Sequence, residues 1–509
     1  MIILDTTQLP DDLPNNEVYW AYNGFDCMVT YEIRDKLRTY LDPTTTSTYR
    51  RTLELQAPYL EMMLRGTRLD IAKMAEVRHL YLGRIRILES WLARLCIEGL
   101  GLPSSFNWRS PLQLKNFFYG VLALKEIKKR NANGLMTPAT DRETLEKLKQ
   151  YFTAIPFVNT ILALRDLGKA VSFLETKLDD DKRIRCNFNL AGTNTGRLSS
   201  SFSDMGTGTN LQNIDRELKY VFIPDNGRAF INIDLEQADS RNVGALAWEM
   251  FYHSHGAEYA GAYLDACESG DLHTTVCRMA WRDLDWGDDP ARWRSVADQI
   301  AYRGLTYRDM AKKLGHGTNY LGQPKTMSVH TKVPQEAIEL FQARYFEAFP
   351  CVRAWQQRTI ELLQQNGSLT HLFGRRRFFF SRLDEQTTIN AAIANCPQGM
   401  TGDQINVAAL NIWRYKQFQM LLQVHDSLLF QTVSDRLTQS VPLALSLARA
   451  PVTLSGNREF CVPVEAKTGW NWGDVSPSNP FGMAKWKGAD NRNPPRVSSN
   501  NRVALGSYL

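Results

Sequence analysis

The sequence predicts an α+β fold, and two kinds of pattern support that prediction. Residues 229–234 and 420–426 are apolar, alternating runs of strand length, and each ends in an aspartate. A third strand-like run, 427–432, follows directly. Residues 28–100 and 241–320 carry helical periodicity instead. Because 509 residues exceed what one hydrophobic core usually supports, we expect several subdomains.

Composition narrows the class of protein. Hydrophobic residues make up 43% and charged residues 22% of the chain, which is typical of a soluble, folded protein. The net charge of +6 permits a polyanionic partner without requiring one. The eight cysteines are scattered, with no C-x-x-C pair, as expected of reduced thiols in the cytoplasm. The start lacks the pattern of a signal peptide and no stretch is apolar enough to span a bilayer, so we expect no membrane partner.

The N-terminal half is predicted to be helical. One amphipathic run ends at a Gly66 break, and a second covers residues 74–95. Pro111 is placed to open a further helix that ends near Gly120.

Two polar segments are predicted to lie outside regular structure. Residues 125–134 form a basic, turn-rich loop, and its composition fits a solvated loop and a phosphate-contacting loop equally well. Beyond Trp472 the chain becomes rich in Pro, Asn, Ser and Gly, which predicts a tail with little core of its own.

The two strand-end aspartates, Asp234 and Asp426, are the central chemical feature. Joining a nucleotide to a 3′-hydroxyl requires stabilisation of the attacking and leaving oxygens, and two hard cations bridged by carboxylates supply it. The aspartates could hold such ions if their strands are neighbours. Alone, a strand-end aspartate is more often a turn or helix-cap residue.

A further sequence pattern favours the metal-binding interpretation of the two aspartates over the turn or helix-cap interpretation. Four side chains recur every four residues, which places them along one face of a helix: Arg308, Lys312, His316 and Tyr320. Two cations near the start can clamp a triphosphate, and two rings further along can stack on sugar and base. Gly315 and Gly317 each cost about 1 kcal/mol inside a helix, which suggests that something approaches the backbone there.

These segments resemble the three polymerase motifs of the family A DNA polymerases, the DNA polymerase I type. The motifs correspond to residues 234–241, 308–320 and 423–427. Further signatures of the family fall in the expected order at 62–70, 195–200, 210–214, 271–275, 374–377 and 395–399. The resemblance covers about residues 50–475. Divergence from the family pattern suggests a bacteriophage-like origin, in which case the protein acts in the cytoplasm of a bacterial host.

The resemblance implies a right-hand polymerase with an antiparallel palm sheet, a helical thumb and helical fingers. The expected parts are a remnant of a 3′–5′ exonuclease domain (1–48), thumb (49–190), palm (191–244 and 346–475), fingers (245–345) and a polar C-terminal tail (476–509). The implied partners are primer–template DNA and dNTPs, and the implied cofactor is a pair of Mg²⁺ ions, for which Mn²⁺ can substitute.

The resemblance also implies residue roles. Asp234, Asp426 and the backbone carbonyl of Leu235 bind the metals. The catalytic and nucleotide-binding side chains are Arg308, Lys312, His273, His316, Tyr320, Asp239 and Gln237, with Lys312 also a candidate to protonate the pyrophosphate leaving group. The DNA contacts are Arg197, Gln398, His425 and Asn213, together with the basic-loop residues Lys128, Lys129 and Arg130.

Three positions depart from the family pattern. His316 replaces a Phe or Tyr, and Asp239 replaces the glutamate that blocks a ribose 2′-hydroxyl. Ser427 replaces the glutamate that follows the second catalytic aspartate. Two-metal chemistry is unaffected because Asp426 is present, whereas weaker sugar discrimination is expected.

The N-terminus carries one fragment of a second motif. Tyr22 and Asp26, followed by a predicted helix, resemble the last motif (Y-x-x-x-D) of the family's exonuclease domain, although a plain surface helix start is the alternative. Asp5 follows an apolar run, but Thr7 stands where a glutamate is needed. We therefore expect no self-contained proofreading activity. The domain was lost, or a separate exonuclease polypeptide docks on residues 1–45, which we favour.

Two rival functions remain. Single-subunit RNA polymerases share both aspartates, the ladder and a His-Asp-Ser motif, but residues 195–200, 210–214 and 374–377 match the DNA enzymes. A catalytically idle DNA-binding subunit would be expected to lose metal ligands, and both aspartates are present.

Overall fold

The computed structural model describes residues 15–103, 106–131, 134–488 and 492. The N-terminal part consists of helices and one short strand: α1 (Asn15–Arg38), α2 (Pro43–Glu54), α3 (Gln56–Arg65), β1 (Thr67–Leu69) and α4 (Ile71–Ala93). Gly66 ends α3 with φ of 61°, and a Cβ there would lie 2.6 Å from Arg185 Cγ and 2.9 Å from the Ile184 carbonyl. The predicted break at Gly66 is confirmed.

The next part completes a helical unit. It contains α5 (Pro111–Lys115), β2 (Lys128–Arg130), β3 (Met136–Pro138), α6 (Arg142–Leu148) and α7 (Ile155–Leu174). A π-helical turn, Asn116–Val121, extends α5, so Pro111 opens a helix that ends where predicted. The segment 125–134 was predicted to be a loop throughout; β2 and β3 instead pair as an antiparallel hairpin. Residues 132–133 lie outside the described part.

The chain then enters the sheet region through five strands and a helix: β4 (Arg183–Ile184), β5 (Asn187–Asn189), β6 (Ser199–Ser201), β7 (Phe222–Ile223), β8 (Arg228–Leu235) and α8 (Ala238–Glu268). Helix α8 is broken at Gly256, where φ is 84°. Strand β1 pairs with both β4 and β7, which ties the N-terminal helical unit to the region that precedes β8.

A second helical unit follows α8. Its elements are α9 (Leu272–Ala280), α10 (Pro290–Ala297), β9 (Ile300–Tyr302), β10 (Leu305–Thr306), α11 (Tyr307–Asn319), α12 (Pro324–Thr331), α13 (Gln335–Ala348) and α14 (Pro350–Asn366). Helix α11 packs on α9 and α13, and Tyr263, Phe341, Tyr345 and Phe349 form a buried aromatic cluster beneath it.

The chain returns to the sheet in its last part. The elements are β11 (Ser368–Thr370), β12 (Arg376–Phe378), α15 (Gln386–Arg414), β13 (Gln419–Val424), β14 (Ser427–Val433), α16 (Leu437–Leu447), β15 (Val452–Leu454), β16 (Arg458–Phe460), β17 (Val464–Gly469) and β18 (Ala484–Lys485). Helices α8 and α15 pack together.

The central sheet has five antiparallel strands in the order β13–β14–β8–β17–β18. Strand β8 lies in the middle, and Ala229, Phe230, Ile231 and Ile233 on it are fully buried. This arrangement, with helices gathered around one antiparallel sheet, confirms the α+β fold class.

Two expectations about the ends of the chain were wrong. Tyr22 and Asp26 lie inside α1 rather than before a helix. Strand β18 pairs with β17, and Met483 is buried, so the tail predicted to begin at residue 476 contributes to the sheet because its few apolar residues pack there. Asp5, Thr7 and residues 493–509 lie outside the described residues. Within the described residues, no helix is both long and apolar enough to cross a bilayer.

Candidate active site

Asp234 and Asp426 meet at one end of the central sheet. Asp234 is next to last in β8, and Asp426 lies with His425 in the two-residue turn between β13 and β14. Because β14 runs antiparallel beside β8, with Ser427 opposite Asp234, the turn reaches the end of β8. The Leu235 amide donates a hydrogen bond to the Asp426 carbonyl at 3.2 Å. The predicted condition, that the two strand ends are neighbours, is met.

Two residues near the aspartates adopt a left-handed backbone conformation. Gln237, which precedes α8, has φ of 52°, and His425 has φ of 57°. Non-glycine residues adopt this region rarely, and such strain is concentrated at functional sites. His425 is exposed at the turn, whereas Gln237 Oε1 is buried and has no hydrogen-bond partner among the described residues. Both residues lie close in sequence to the aspartates, and their roles at the primer end and the sugar stay predictions.

The electrostatics at Asp234 are those of crowded carboxylates. Burial, followed by the negative charges of Asp426 and Glu465, raises the pKa of Asp234 to about 7. Glu465 lies opposite Asp234 on β17, and its carboxylate pairs with Lys485 Nζ at 2.5 Å. Sequence reasoning missed Glu465. The signal was a glutamate in the strand-like run 464–469, but its register against β8 could not be read from sequence.

The two aspartates fit the metal ions that the family resemblance implies. No Lys or Arg in the described ranges forms an ion pair with either carboxylate, and the positive charge of Lys467 offsets only part of the effect that raises the pKa of Asp234, so the pair is a cluster of hard oxygen donors. The described chain brings no three His, Cys, Asp or Glu side chains together as a metal site. The backbone carbonyl of Leu235 is the further ligand that the family resemblance implies.

Helix α11 presents the predicted ladder beside α9. Thr306 caps α11 reciprocally with Asp309, which fixes where the helix begins. Arg308 donates through Nε and Nη2 to the two carboxylate oxygens of Asp271, at 2.9 and 3.0 Å. Asp271 in turn caps α9 by accepting from the His273 amide at 3.2 Å. The ladder and the His273 region therefore form one unit.

The charge states of this unit suit a triphosphate. Burial, then the positive charge of Arg308, lowers the pKa of His273 to about 4, so its imidazole is neutral at physiological pH. Burial alone would raise the pKa of Asp271, but hydrogen bonds from Arg308 and Thr274 hold it well below its ordinary value. Lys312 is exposed and has no acidic partner in the part of the chain described. We did not assign a role to Asp271 from sequence.

The far end of the ladder differs from the expectation. Tyr320 is the residue after the last turn of α11, and its ring lies 4.8 Å from that of His316. A Cβ at Gly317 would lie 2.7 Å from Met327 Cε, whereas one at Gly315 would make only an ordinary contact. The expected close approach is confirmed at Gly317, where the approaching group is the protein's own Met327 side chain, and is wrong at Gly315.

A polar cluster joins Asp239 to the predicted DNA contacts. Asp239 Oδ1 accepts from Arg197 Nη2 at 3.0 Å and from Thr401 Oγ1 at 2.7 Å. Arg197 Nε also donates to the backbone carbonyl of Gln398 at 3.3 Å. Tyr320 Oη is buried nearby and lacks a partner at full hydrogen-bond geometry in the described residues, although the Asp239 side chain interacts with it. Burial, then the Asp239 charge, raises the pKa of Tyr320 well above its ordinary value.

The remaining predicted contacts divide into two groups. Asn213 is exposed at the end of a short 3-10 helix, and the preceding Gln212 donates to Gln423 Oε1 at 2.8 Å, close to His425. Lys128, Lys129 and Arg130 lie on β2, in the N-terminal helical unit and away from this site. Lys129 is bound by two carboxylates and Lys128 by one, at Asp141, Glu143 and Glu126.

The fold and the site define a polymerase of the right-hand type. The structure matches the POL domain of Pol1 from M. smegmatis, solved in complex with DNA primer-template and dNTP, with a TM-score of 0.65. The match covers 82% of this chain and 70% of that chain at 23% identity, which shows the shared fold. The predicted right-hand architecture is confirmed.

The family follows from the sequence. The profile for DNA polymerase family A matches residues 88–257 and 292–474, so the chain belongs to DNA polymerase family A. A thermostable DNA polymerase I of Thermus aquaticus is 29% identical over 435 residues, which are 82% of this chain and 46% of the relative. DNA polymerase I of Synechocystis sp. is 27% identical over 91% of this chain and 46% of its own. The chain thus spans about half the length of these relatives, and a bacteriophage-like origin stays a prediction.

Proposed function

We propose that the chain is a template-directed DNA polymerase that adds deoxynucleotides to a primer 3′-hydroxyl by two-metal-ion nucleotidyl transfer, in DNA replication. The observation that carries this proposal is the pair of carboxylates, Asp234 and Asp426, at the ends of neighbouring strands. Membership of DNA polymerase family A supports the reaction class. The relatives are named as DNA polymerase I, which agrees with it.

The aspartates define the reaction centre. Asp234 and Asp426, with the Leu235 carbonyl, would hold two Mg²⁺ or Mn²⁺ ions, whose chemistry is to stabilise the attacking and leaving oxygens. The strained turn at His425 holds the Asp426 carboxylate at the end of β8, and the pairing of Ser427 with Asp234 fixes their relative position. The side chains are thus held by the sheet rather than by a mobile loop.

The α9–α11 unit would bind the incoming nucleotide. Lys312 offers an ammonium without an acidic partner among described residues, and it would contact the triphosphate and give a proton to the leaving pyrophosphate. Arg308, oriented by Asp271, and a neutral His273 add donors from the neighbouring turn. His316 and Tyr320, whose rings lie 4.8 Å apart, would contact the base and sugar, and Gln237 and Asp239 would contact the sugar.

The polar cluster at Asp239 would read the end of the primer. Arg197 extends from a tight loop, held by Asp239 and the Gln398 carbonyl, and its guanidinium can donate to minor-groove acceptors common to all correct pairs. His425 and Asn213 lie exposed on the sheet side of the same site. The hairpin residues Lys128, Lys129 and Arg130 would contact the duplex backbone at a distance from the chemistry.

A primer-extension assay tests the proposal against its enzymatic rival. The purified chain is incubated with primer–template and either dNTPs or rNTPs, with Mg²⁺ or with EDTA. We expect Mg²⁺-dependent extension with dNTPs. Extension with rNTPs alone would instead identify an RNA polymerase, and DNA binding without extension would identify an idle subunit.

We also propose that a separate exonuclease polypeptide docks on α1. Apolar side chains on this helix are half exposed or more: Tyr19, Trp20, Tyr22, Met28, Ile33 and Leu37. Exposed patches of this kind mark interaction surfaces. Asp26 supplies a single carboxylate, and one carboxylate cannot hold the two ions such a nuclease needs.

The exonuclease proposal has two tests. The pure chain should not shorten a mismatched 3′ end with Mg²⁺, and metal-dependent shortening that persists in Asp234→Ala would contradict this. A pull-down from the native source should capture nuclease activity with the wild-type chain and not with Trp20→Ala/Tyr22→Ala. Equal nuclease activity with both baits would rule out docking on α1.

The proposed location is the cytoplasm. All eight cysteines are free thiols and six of them are buried, as expected of a protein in a reducing compartment.

A further inference from the structure

Two phenylalanine rings, at the end of β12 and two residues beyond it, are exposed to solvent. Phe378 is 56% exposed and Phe380 is 96% exposed, so Phe380 is almost entirely surrounded by solvent. The rings face one another, with centroids 6.5 Å apart and planes at 24°. A solvated aromatic pair contributes little to the core, so the rings are available to contact a flat partner.

The rings line a cavity that also contains an unpaired cation. The cavity holds about 310 Å³ and is bordered by Arg377, Asn194, Ser381 and Thr387. Arg377 has no carboxylate within ion-pair distance among the residues that the structure describes, and its guanidinium lies 4.5 Å from the Phe379 ring centroid. Burial lowers the pKa of Arg377, and no acidic neighbour offsets this effect.

Unlike Arg377, the two arginines that precede it are paired with carboxylates. Arg375 is bound by Asp403 through two hydrogen bonds, at 2.7 and 3.2 Å, and Arg376 pairs with Asp42 at 2.9 Å. Of three consecutive arginines, only Arg377 lacks an acidic partner among described residues. A half-buried, uncompensated guanidinium beside exposed rings is suited to an anionic ligand with flat faces.

The cavity adjoins the proposed DNA interface. Asn194 belongs to the same loop as Arg197, and that loop is closed by a hydrogen bond from Thr193 Oγ1 to the Arg197 carbonyl at 2.6 Å. Thr387 lies on α15, the helix whose later turns carry Gln398. At about 1.5 Å per residue, eleven residues of helix separate the two by about 16 Å. Nucleic acid at Arg197 and Gln398 would therefore reach the rings within a few nucleotides.

We propose that Phe378, Phe380 and Arg377 form a stacking site for unpaired bases of the template strand. The rings would stack on bases without sequence preference, and Arg377 would bind the phosphate between them. The template overhang is the occupant because it stays unpaired throughout synthesis, whereas the primer is paired up to its terminus. This site rests on the proposed function, since a chain that does not bind primer–template has no template strand to hold.

Equilibrium binding without dNTPs tests the site independently of catalysis. Fluorescence anisotropy would measure the affinity of wild type, Phe378→Leu and Phe380→Leu for three DNAs: a blunt duplex, a duplex with about six unpaired template nucleotides, and a duplex with an unpaired primer 3′ end. Leucine keeps the apolar bulk and removes the aromatic face. Phe152→Leu is the matched control, because Phe152 is 86% exposed on the N-terminal helical unit, away from this cavity.

We expect each of the two site variants to bind the overhang duplex about tenfold more weakly and the blunt duplex as wild type does, with no change for Phe152→Leu. A 2-aminopurine placed in the overhang should be quenched by wild type and less by Phe380→Leu. Unchanged overhang affinity, equal loss on the blunt duplex, or loss only with the unpaired primer end would each overturn the proposal. Absence of dNTP extension by wild type, measured in parallel, would refute the polymerase function instead.

Discussion

Lengthening Asp239 by one methylene should tighten sugar selection. In the structure the Asp239 carboxylate accepts from Arg197 and Thr401, and its interaction with the buried Tyr320 Oη falls short of a full hydrogen bond. Glutamate reaches about 1.5 Å further, which brings a carboxylate oxygen toward Tyr320 Oη and fills space beside the proposed 2′ position. Asp239→Glu therefore changes both a hydrogen bond and a steric wall.

The expected size follows from the unsatisfied hydroxyl. An unpaired buried polar group costs about 1 to 3 kcal/mol, so pairing Tyr320 Oη should stabilise the protein by an amount in that range. A carboxylate that occupies the space beside the 2′ position should raise the ratio of dCTP to CTP incorporation by about tenfold, which corresponds to about 1.4 kcal/mol of discrimination between the two nucleotides. The ratio would be measured by single-nucleotide primer extension, and stability by urea unfolding.

Tyr320→Phe is the control that separates the two effects. Without the hydroxyl, Asp239→Glu should lose its gain in stability, whereas any purely steric gain in sugar selection should persist. If Asp239→Glu leaves the dCTP to CTP ratio within about twofold of wild type, the gate lies elsewhere and the reasoning fails.

Three further predictions address the nucleotide site, the basic hairpin and the core. Lys312→Ala should lower kcat/KM for dNTPs by about a hundredfold and leave primer–template affinity unchanged, because the proposed partner of Lys312 is the triphosphate. An equal loss of duplex affinity would show that Lys312 contacts the DNA backbone instead. Affinity for primer–template should fall steeply with salt, and Arg130→Ala should reduce the slope of log affinity against log salt by about 1. Lys129→Ala should leave that slope unchanged, because two carboxylates already neutralise Lys129. A flat salt response would show that the hairpin does not contact the duplex. Burial lowers the pKa of His371 to about 4 in the folded state. On acidification from about pH 6.5 to 4 only the unfolded state protonates this histidine, so the free energy of unfolding should fall by up to about 3 kcal/mol. Urea unfolding of His371→Asn should show a shallower decline with falling pH, and a pH profile identical to that of wild type would contradict the low pKa of His371.

Much of the active site could be predicted because its signals are local. Strand alternation ending in Asp234 and Asp426, and the four-residue period from Arg308 to Tyr320, are set by backbone geometry and need no knowledge of distant contacts. The roles of these residues came from resemblance to a family rather than from spacing alone.

The missed features depend on contacts between distant segments. Glu465 lies beside Asp234 only because of the register between β17 and β8, and a shift of one residue would turn it to the other face. Met327 explains Gly317 through a packing contact that periodicity cannot show. The strand at Ala484–Lys485 was hidden by the polar composition around it, since pairing to β17 supplies most of its stabilisation.

The most direct test of the account is the rate of primer extension by Asp234→Ala and Asp426→Ala, measured in a single turnover with Mg²⁺ together with the affinity for primer–template. Asp435→Ala is the matched control, because this aspartate is exposed after β14 and away from the site. We predict that either active-site change abolishes extension and leaves DNA affinity largely intact, since the carboxylates serve the metal ions rather than the duplex. Extension within about tenfold of wild type in either variant would contradict the two-metal assignment.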